Sequence, residues 1–218
     1  MGLFLISAPV WWFFEAVNWR TANWEYLGRA QFSDVAYALF ATLSFSTVIP
    51  AVFGTAELVS TFEWLKRLPD GPRVPTSRPV VVGVFLLGIT AFALMMAFPR
   101  VFFPFIWLAP FLVLAAVNVW MGNRSLVDDL RESNWRPAIA VMLGALICGF
   151  FWEMWNFYSY PKWIYHVPYV DFWRVFEMPI LGYGGYLPFG LELFAMYHVV
   201  LAILGKHDTL RDYVQLKS

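Results

Sequence analysis

The sequence predicts an all-α fold: a polytopic membrane helical bundle of about six transmembrane helices with a parallel internal repeat. Composition is the first observation, since the 218 residues are 60% hydrophobic, 20% aromatic and only 14% charged. A mean hydropathy of +0.60 agrees with a membrane protein and not with a water-soluble domain of this length. The second observation is a series of long apolar segments, and the third is a motif that occurs twice.

Six apolar segments approach the roughly 20 residues that a helix needs to cross the hydrocarbon core. In order, they are 2–18, 35–59, 79–98, 101–121, 137–156 and 183–205. Between and after them lie the Trp-Tyr loops at 19–34 and 157–182, a proline-broken polar loop at 66–78, a tight link at Pro99 and Arg100, a polar loop at 122–136 and a polar tail at 206–218. The apolar start has neither a basic stretch nor a small-residue cleavage site, so no cleavable signal is expected. A single membrane domain, 1–218, is predicted.

The repeated motif is F-x-E-x-x-N followed by W-x-Y. The first copy has Glu15 and Asn18, then Trp24-Glu25-Tyr26, and the second has Glu153 and Asn156, then Trp163-Ile164-Tyr165. Each copy precedes an apolar segment with a proline and an acid, Pro50 with Glu57 and Pro188 with Glu192. Such self-similarity indicates a duplicated helix pair. The predicted halves are about 1–60 and 137–205, joined by connecting spans at about 79–121.

Positive charge predicts the orientation. An even number of spans puts both termini on one side, which carries ten basic residues: Lys66, Arg67, Arg73, Arg78, Arg124, Arg131, Arg136, Lys206, Arg211 and Lys217. The opposite side carries five: Arg20, Arg29, Arg100, Lys162 and Arg174. This asymmetry favours cytoplasmic termini, in a bacterial inner membrane. The two motif copies then run in the same direction, which makes the repeat parallel.

The acids in aromatic surroundings suggest proton chemistry. Glu15 and Asn18, like Glu153 and Asn156, are three residues apart and share one helical face. A carboxyl in a low-dielectric site can stay protonated and act as a proton donor. Aromatic faces beside it would stabilise a cation. The arrangement suits carbocation chemistry on an isoprenoid chain.

Simpler interpretations compete with this one. Trp and Tyr gather at membrane interfaces whatever the function. Glu15 and Glu153 could make a packing hydrogen bond, or an ion pair with a neighbour such as Lys162. No His, Cys, Asp and Glu spacing of metal type is present, so no metal is predicted. The single cysteine, Cys148, provides no disulfide framework, and the zero net charge gives no indication of nucleic acid.

The second copy resembles the integral-membrane lycopene cyclases of the fungal and heterodimeric bacterial type, and the superfamily of membrane-bound terpene cyclases. The resemblance rests on Trp152-Glu153, then Trp163-Ile164-Tyr165, then Gly185-Tyr186-Leu187-Pro188 with Glu192. It covers about 50 residues of the second half well and the first 58 loosely. A lone Glu192 stands where the family has paired acids. The resemblance implies carotenoid or terpenoid cyclisation by acid catalysis without a redox cofactor.

The leading hypothesis is an enzyme, an isomerase that cyclises or isomerises a polyene or prenylated lipid without redox chemistry and without a cofactor. Glu153 or Glu15 would donate the proton, Asn156 and Asn18 would orient the acids, and Glu192 or Glu57 would accept the final proton. The predicted substrate-binding residues are Trp152, Trp155, Trp163, Tyr165, Tyr186 and Trp12. The four glutamates are expected to face one internal cavity.

Two other classes stay open. One is a non-catalytic membrane subunit that binds a lipid, carotenoid or quinone, and the other is a proton-coupled carrier, since parallel repeats with midplane acids also occur in transporters. The expected partners are a hydrophobic isoprenoid or lipid substrate and membrane lipids, with no nucleic acid. A homo-oligomer is a further expectation, because six short spans are few for a carrier.

Overall fold

The computed structural model describes residues 2–205, so Met1 and the predicted polar tail at 206–218 lie outside the described residues. Three of the basic residues counted above, Lys206, Arg211 and Lys217, lie outside them as well. Residues 2–205 are mostly helical, with ten α-helices and two short two-stranded sheets. The predicted helical class is confirmed, whereas the strands were not predicted.

The first half of the described chain contains α1 (Gly2–Thr21), β1 (Trp24–Leu27), α2 (Asp34–Phe45), α3 (Val48–Ser60) and α4 (Glu63–Lys66). The middle contains α5 (Arg78–Ala97), α6 (Pro99–Phe102), α7 (Phe105–Met121) and α8 (Leu126–Arg131). The last part contains α9 (Arg136–Phe157), β2 (Lys162–Tyr165), β3 (Arg174–Val175), β4 (Met178–Pro179) and α10 (Tyr186–Ile203). Each of the six predicted apolar segments therefore contains a helix.

The predicted segment 35–59 is two helices, because the chain turns between α2 and α3. The hydroxyls of Ser46 and Thr47 donate to carbonyls one turn back, at 2.6 and 2.7 Å, and so compete with the helical pattern. Ser7 of α1 forms hydrogen bonds with both the end of α2 and the start of α3. Its hydroxyl donates to the Phe45 carbonyl at 2.5 Å and accepts the Ile49 N–H at 3.0 Å. The break in the helix is thus held by a buried side chain from a neighbouring helix.

Glycines allow the core helices to approach closely. A Cβ at Gly144 of α9 would lie 2.8 Å from the Ala56 backbone nitrogen of α3. A Cβ at Gly190 of α10 would lie 2.6 Å from the Val141 carbonyl oxygen of α9. Neither distance can accommodate a methyl group, so glycine is required at both positions. Close contact through small residues is the usual way in which helices pack in a bilayer.

The two W-x-Y sequences form a sheet with each other. β1 follows α1 and β2 follows α9, and the two strands pair antiparallel. Trp24 lies opposite Tyr165, and Tyr26 lies opposite Trp163. The tryptophan of each copy is therefore paired with the tyrosine of the other. This pairing brings the C-terminal ends of α1 and α9 to the same end of the bundle.

Four stretches of helix in the described chain are long and apolar enough to cross a membrane: Asp34–Ser60, Arg78–Ala97, Arg136–Phe157 and Ile180–Ile203. Phe105–Met121 is apolar but shorter. Large apolar side chains such as Leu39, Leu43, Leu86 and Leu87 are exposed on these helices. Exposed apolar side chains on long apolar helices are the surface that lipid covers. These features agree with a membrane protein.

Candidate functional site

A large aromatic cavity lies below the β1–β2 sheet, with a volume of about 1090 Å³. Residues of α1, α2, α7, α9, α10 and both W-x-Y strands line it. The volume is at the upper end of the range for small-molecule pockets, and such pockets are mostly apolar with a few polar groups. The aromatic residues that line it include Trp11, Trp24, Trp107, Trp152, Tyr186 and Phe189.

Glu15 lies behind the wall of this cavity, on α1. Its Oε1 accepts three hydrogen bonds, from Trp11 Nε1 at 3.0 Å, Trp24 Nε1 at 3.2 Å and the Tyr26 hydroxyl at 2.6 Å. All three donors line the cavity, whereas Glu15 does not, and its side chain is buried. The aromatic groups thus separate the carboxyl from the cavity while touching both.

Glu153 occupies the corresponding place on α9, with a different set of partners. Its Oε1 accepts the hydroxyl hydrogen bonds of Tyr165 at 2.5 Å and Tyr186 at 2.7 Å. Its Oε2 is buried without a hydrogen-bond partner in residues 2–205. Both tyrosines line the cavity, and Glu153 itself is 0% exposed. Tyr165 in turn accepts the indole N–H of Trp163 at 2.9 Å.

The ion pair considered for Glu153 is not formed. Lys162 is paired with Glu177 at 2.5 Å instead, and Arg174 lies 3.7 Å from the same carboxylate. Lys162 lines the cavity, and its ammonium group is bonded to Glu177. The hydrogen-bonding neighbours of Glu153 in the described chain, the hydroxyls of Tyr165 and Tyr186 and the indole of Trp163, are neutral.

The two asparagines do not orient the acids, which corrects that expectation. Asn18 donates to the Trp24 carbonyl at 2.7 Å and accepts the Trp24 N–H at 3.2 Å. Asn156 does the same to Trp163, donating at 2.8 Å and accepting at 2.8 Å. A side-chain amide matches the backbone donor and acceptor of one extended residue, so each asparagine anchors a W-x-Y strand at its tryptophan. They position the tyrosines and only indirectly the site.

The four glutamates do not face one cavity, which corrects a further expectation. Glu57 is half-buried on α3 and does not line the cavity. Glu192 on α10 is 0% exposed, also does not line the cavity, and both of its oxygens lack a hydrogen-bond partner within the described residues. Glu15 and Glu153 are close behind the lining, but Glu57 and Glu192 have no described contact with it.

Five of the six predicted substrate-binding residues line the cavity, namely Trp152, Trp155, Trp163, Tyr165 and Tyr186. Trp12 does not, and this expectation is wrong. Its indole N–H donates to the Thr42 hydroxyl of α2 at 2.9 Å. Trp11, its neighbour, faces the cavity instead because successive helical residues point about 100° apart.

Several residues of the site were missed by the sequence reasoning. Trp24 and Tyr26 could have been found, since they are the first-copy counterparts of the predicted Trp163 and Tyr165. Trp11 is one turn before Glu15, a spacing that also signals contact. Trp107 gave no such signal, because it belongs to α7, which is outside the repeat. Its ring lies 6.3 Å from that of Trp24 in a stacked arrangement, and 4.7 Å from that of Phe189.

The tyrosines of the two strands are poor acids. Loss of hydration raises the pKa of Tyr26 and Tyr165 well above the ordinary value of 10.0, and the neighbouring carboxyls Glu15 and Glu153 raise it further. Both hydroxyls therefore keep their protons at neutral pH and remain hydrogen-bond donors. The arrangement can hold a proton beside an apolar cavity and present hydroxyl groups to whatever occupies it.

Residues 2–205 contain no group of three or more His, Cys, Asp or Glu side chains that could hold a metal ion. The described polar groups around the cavity are thus hydroxyls, indoles, amides and the paired charges at the rim. Comparisons with known proteins add no relative, since no protein-family model, no curated protein and no solved structure matches this chain.

Proposed function

We propose that the chain is an integral membrane enzyme that cyclises or isomerises an isoprenoid or other polyene lipid by acid catalysis, without net oxidation. The observation that carries the proposal is Glu153, a buried carboxyl connected by two tyrosine hydroxyls to a large aromatic cavity. The apolar lining suits a lipid, and the volume of about 1090 Å³ is enough for a long one.

The chemistry begins with protonation of a carbon–carbon double bond. A new C–H bond forms at one carbon, the neighbouring carbon becomes cationic, and Glu153 is left as a carboxylate. The faces of Trp11, Trp24 and Trp107 line the cavity and can stabilise the cation, since indole is the best aromatic partner of a positive charge. Loss of a proton from an adjacent carbon to a carboxylate then regenerates the acid, so the product is an isomer of the substrate.

Glu15 is assigned a supporting role in this proposal. Its Oε1 already accepts three hydrogen bonds, two of them from indoles. These bonds fix the carboxyl behind the aromatic residues that line the cavity. Glu57 and Glu192 do not line the cavity. The final proton is therefore assigned to Glu153 itself and not to the acids near the two prolines.

The proposal includes membership of the membrane-bound cyclase superfamily that the second copy resembles. It also includes six spans, with α1 and α7 crossing in addition to the four longer stretches, and a duplicated origin of the two halves. Pairing of β1 with β2 and the equivalent bonds of Asn18 and Asn156 support the duplication. We also propose that the termini lie in the cytoplasm of a bacterial cell and that the β1–β2 sheet lies on the outer side of the inner membrane.

The test uses purified protein in mild detergent supplied with lycopene, together with the lipid that co-purifies. We expect an isomer of unchanged mass, separated by chromatography, from the wild type. Glu153→Gln should reduce its formation by about 100-fold or more, the usual contribution of a positioned proton donor. Glu15→Gln is the matched control and should retain most of the activity. Full activity of Glu153→Gln would eliminate the proposed mechanism.

A non-catalytic lipid-binding subunit is the second candidate. The observation that favours it is the separation of every glutamate considered above from the cavity lining. In that case the same lipid, stoichiometric and chemically identical, should co-purify with the wild type and with Glu153→Gln. Such a result, with no conversion of lycopene, would replace the enzyme proposal.

A further inference from the structure

Glu153 cannot touch a molecule in the cavity, and this raises the question of how its proton would leave. The side chain is 0% exposed and does not line the cavity, whereas Tyr165 and Tyr186 do. Their hydroxyl oxygens lie 2.5 and 2.7 Å from the same carboxyl oxygen. A hydroxyl both donates and accepts, so either tyrosine is chemically able to pass a proton on.

Tyr165 is fixed in one direction. The indole N–H of Trp163 donates to its oxygen at 2.9 Å, and an indole can only donate. The hydroxyl hydrogen of Tyr165 is directed to Glu153 Oε1. Tyr165 therefore holds the carboxyl in place, and because its oxygen already accepts the Trp163 N–H it has less capacity than Tyr186 to accept a proton from Glu153.

Tyr186 has no such constraint from an indole in the described chain. Its hydroxyl donates to Glu153 Oε1 at 2.7 Å and also neighbours the Tyr165 hydroxyl. Its ring centroid lies 6.4 Å from that of Trp152 and 6.2 Å from that of Phe189. Rotation of the hydroxyl about its C–O bond leaves the ring where it is. Tyr186 can thus accept a hydrogen bond from Glu153 and turn its own hydrogen to the cavity.

The Glu15 site shows why this freedom is specific to Glu153. Two of the three groups that donate to Glu15 Oε1 are the indoles of Trp11 and Trp24. An indole N–H only donates, so neither Trp11 nor Trp24 can accept a proton from Glu15 or pass one on. Tyr26 is the one hydroxyl among these three donors. At Glu153 Oε1 the donors at 2.5 and 2.7 Å are both hydroxyls, and a hydroxyl can reverse its direction.

We infer that Tyr186 is the residue that delivers the proton to the substrate, with Glu153 as the proton source behind it. In one step the O–H bond of Tyr186 breaks as a C–H bond forms on the alkene, while the proton of Glu153 moves to the Tyr186 oxygen. Tyr186 ends as a neutral phenol, Glu153 as a carboxylate, and the substrate as a carbocation. The inference rests on the proposed function and makes Tyr186 a catalytic residue and Tyr165 a positioning residue.

The experiment compares Tyr186→Phe with Tyr26→Phe, which removes the one hydroxyl bond of the other site. Conversion of lycopene is measured for both, after each variant has been shown to be folded by its thermal unfolding. Tyr186→Phe should lose about 100-fold or more of the turnover, and Tyr26→Phe should lose less than about 10-fold. Wild-type turnover in Tyr186→Phe, with an inactive Glu153→Gln, would overturn the relay and leave the proposed function in place.

A second measurement needs no variant. Wild-type turnover is followed as the deuterium content of the solvent is raised. Two protons moving in one step give a curved dependence of rate on deuterium fraction, whereas direct transfer from Glu153 gives a straight line. A straight line would overturn the inference even if Tyr186→Phe failed to fold.

Infrared spectroscopy separates the relay from the enzyme proposal altogether. The carbonyl band of protonated Glu153, identified by its loss in Glu153→Gln, should shift in Tyr186→Phe because one hydrogen bond to Oε1 is gone. It should not shift in Tyr26→Phe. An unshifted band in Tyr186→Phe would show that the two groups are not in contact, whatever the protein does with lycopene.

Discussion

The two copies of the motif build the same scaffold and two different acid sites. In both, an asparagine one turn after the glutamate anchors a W-x-Y strand, and the tyrosine of that strand donates to the acid. The other donors differ. Glu15 Oε1 also accepts from the indoles of Trp24 and of Trp11, one turn earlier on the same helix, whereas Glu153 Oε1 also accepts from Tyr186 of α10.

One position explains the difference. Trp11 stands four residues before Glu15, and Gly149 stands four residues before Glu153. The missing side chain at Gly149 leaves the space in which the Tyr186 ring lies, since a Cβ there would be 2.4 Å from that ring. The glycine thus accounts for the hydroxyl of Tyr186 at Glu153 in the place that the Trp11 indole takes at Glu15.

Gly149→Ala is therefore expected to have the largest effect. The added methyl group must displace Tyr186, which breaks the bond to Glu153 and costs about 1–3 kcal/mol of stability, the usual penalty of overpacking. Turnover should fall as far as in Tyr186→Phe. The measurements are thermal unfolding in detergent and conversion of lycopene.

Gly83→Ala is the matched control for this substitution. Gly83 also lies within an apolar helix, α5, but nothing lies within 4 Å of a Cβ at this position. Alanine there should be neutral or stabilising by about 0.5–1 kcal/mol, the intrinsic helix preference. If Gly149→Ala behaved like Gly83→Ala, Tyr186 would not occupy the space assigned to it.

The sequence predicted the scaffold better than the site. Each of the six predicted apolar segments contains a helix, although 35–59 is two, and the repeated motif identified Glu15 and Glu153, which are both buried. The sequence could not show that the two asparagines bind the backbone of a tryptophan instead of a carboxyl, because both interactions use the same residue type at the same spacing. The sequence also could not predict that β1 pairs with β2, because a four-residue strand is too short to show a hydrophobic periodicity.

The sequence also could not predict the position of Trp107 or the separation of Glu192 from the cavity. Both depend on how α7 and α10 rotate about their axes, and these helices are apolar on all sides. A helix without an amphipathic pattern gives no indication of which face is buried. In a membrane protein this is the general case, so the helix faces had to come from the structure.

Loss of either asparagine should lower stability to an intermediate extent in both copies. Asn156→Ala leaves the N–H and the carbonyl of Trp163 without their partner, and Asn18→Ala does the same to Trp24. Each unsatisfied buried group costs about 1–3 kcal/mol. Both variants should therefore unfold at lower temperature, and only Asn156→Ala should also reduce turnover, because its strand carries Tyr165. A turnover loss confined to Asn18→Ala would reverse the roles of the two sites.

The smallest effect is expected at alkaline pH, where the two strand tyrosines can be compared directly. Their pKa is raised in the folded protein above the ordinary value of 10.0, so the folded state holds these protons more tightly than the unfolded state. The stability that they contribute is complete below pH 10 and is lost as the pH rises further, by at most about 1.4 kcal/mol per pH unit for each tyrosine. Tyr26→Phe and Tyr165→Phe each remove one such proton. Each variant should therefore lose stability less steeply than the wild type above pH 10, as measured by thermal unfolding from pH 8 to 11. Identical slopes in all three proteins would mean that the hydroxyls are hydrated, and the cavity wall would then not isolate the acids from water.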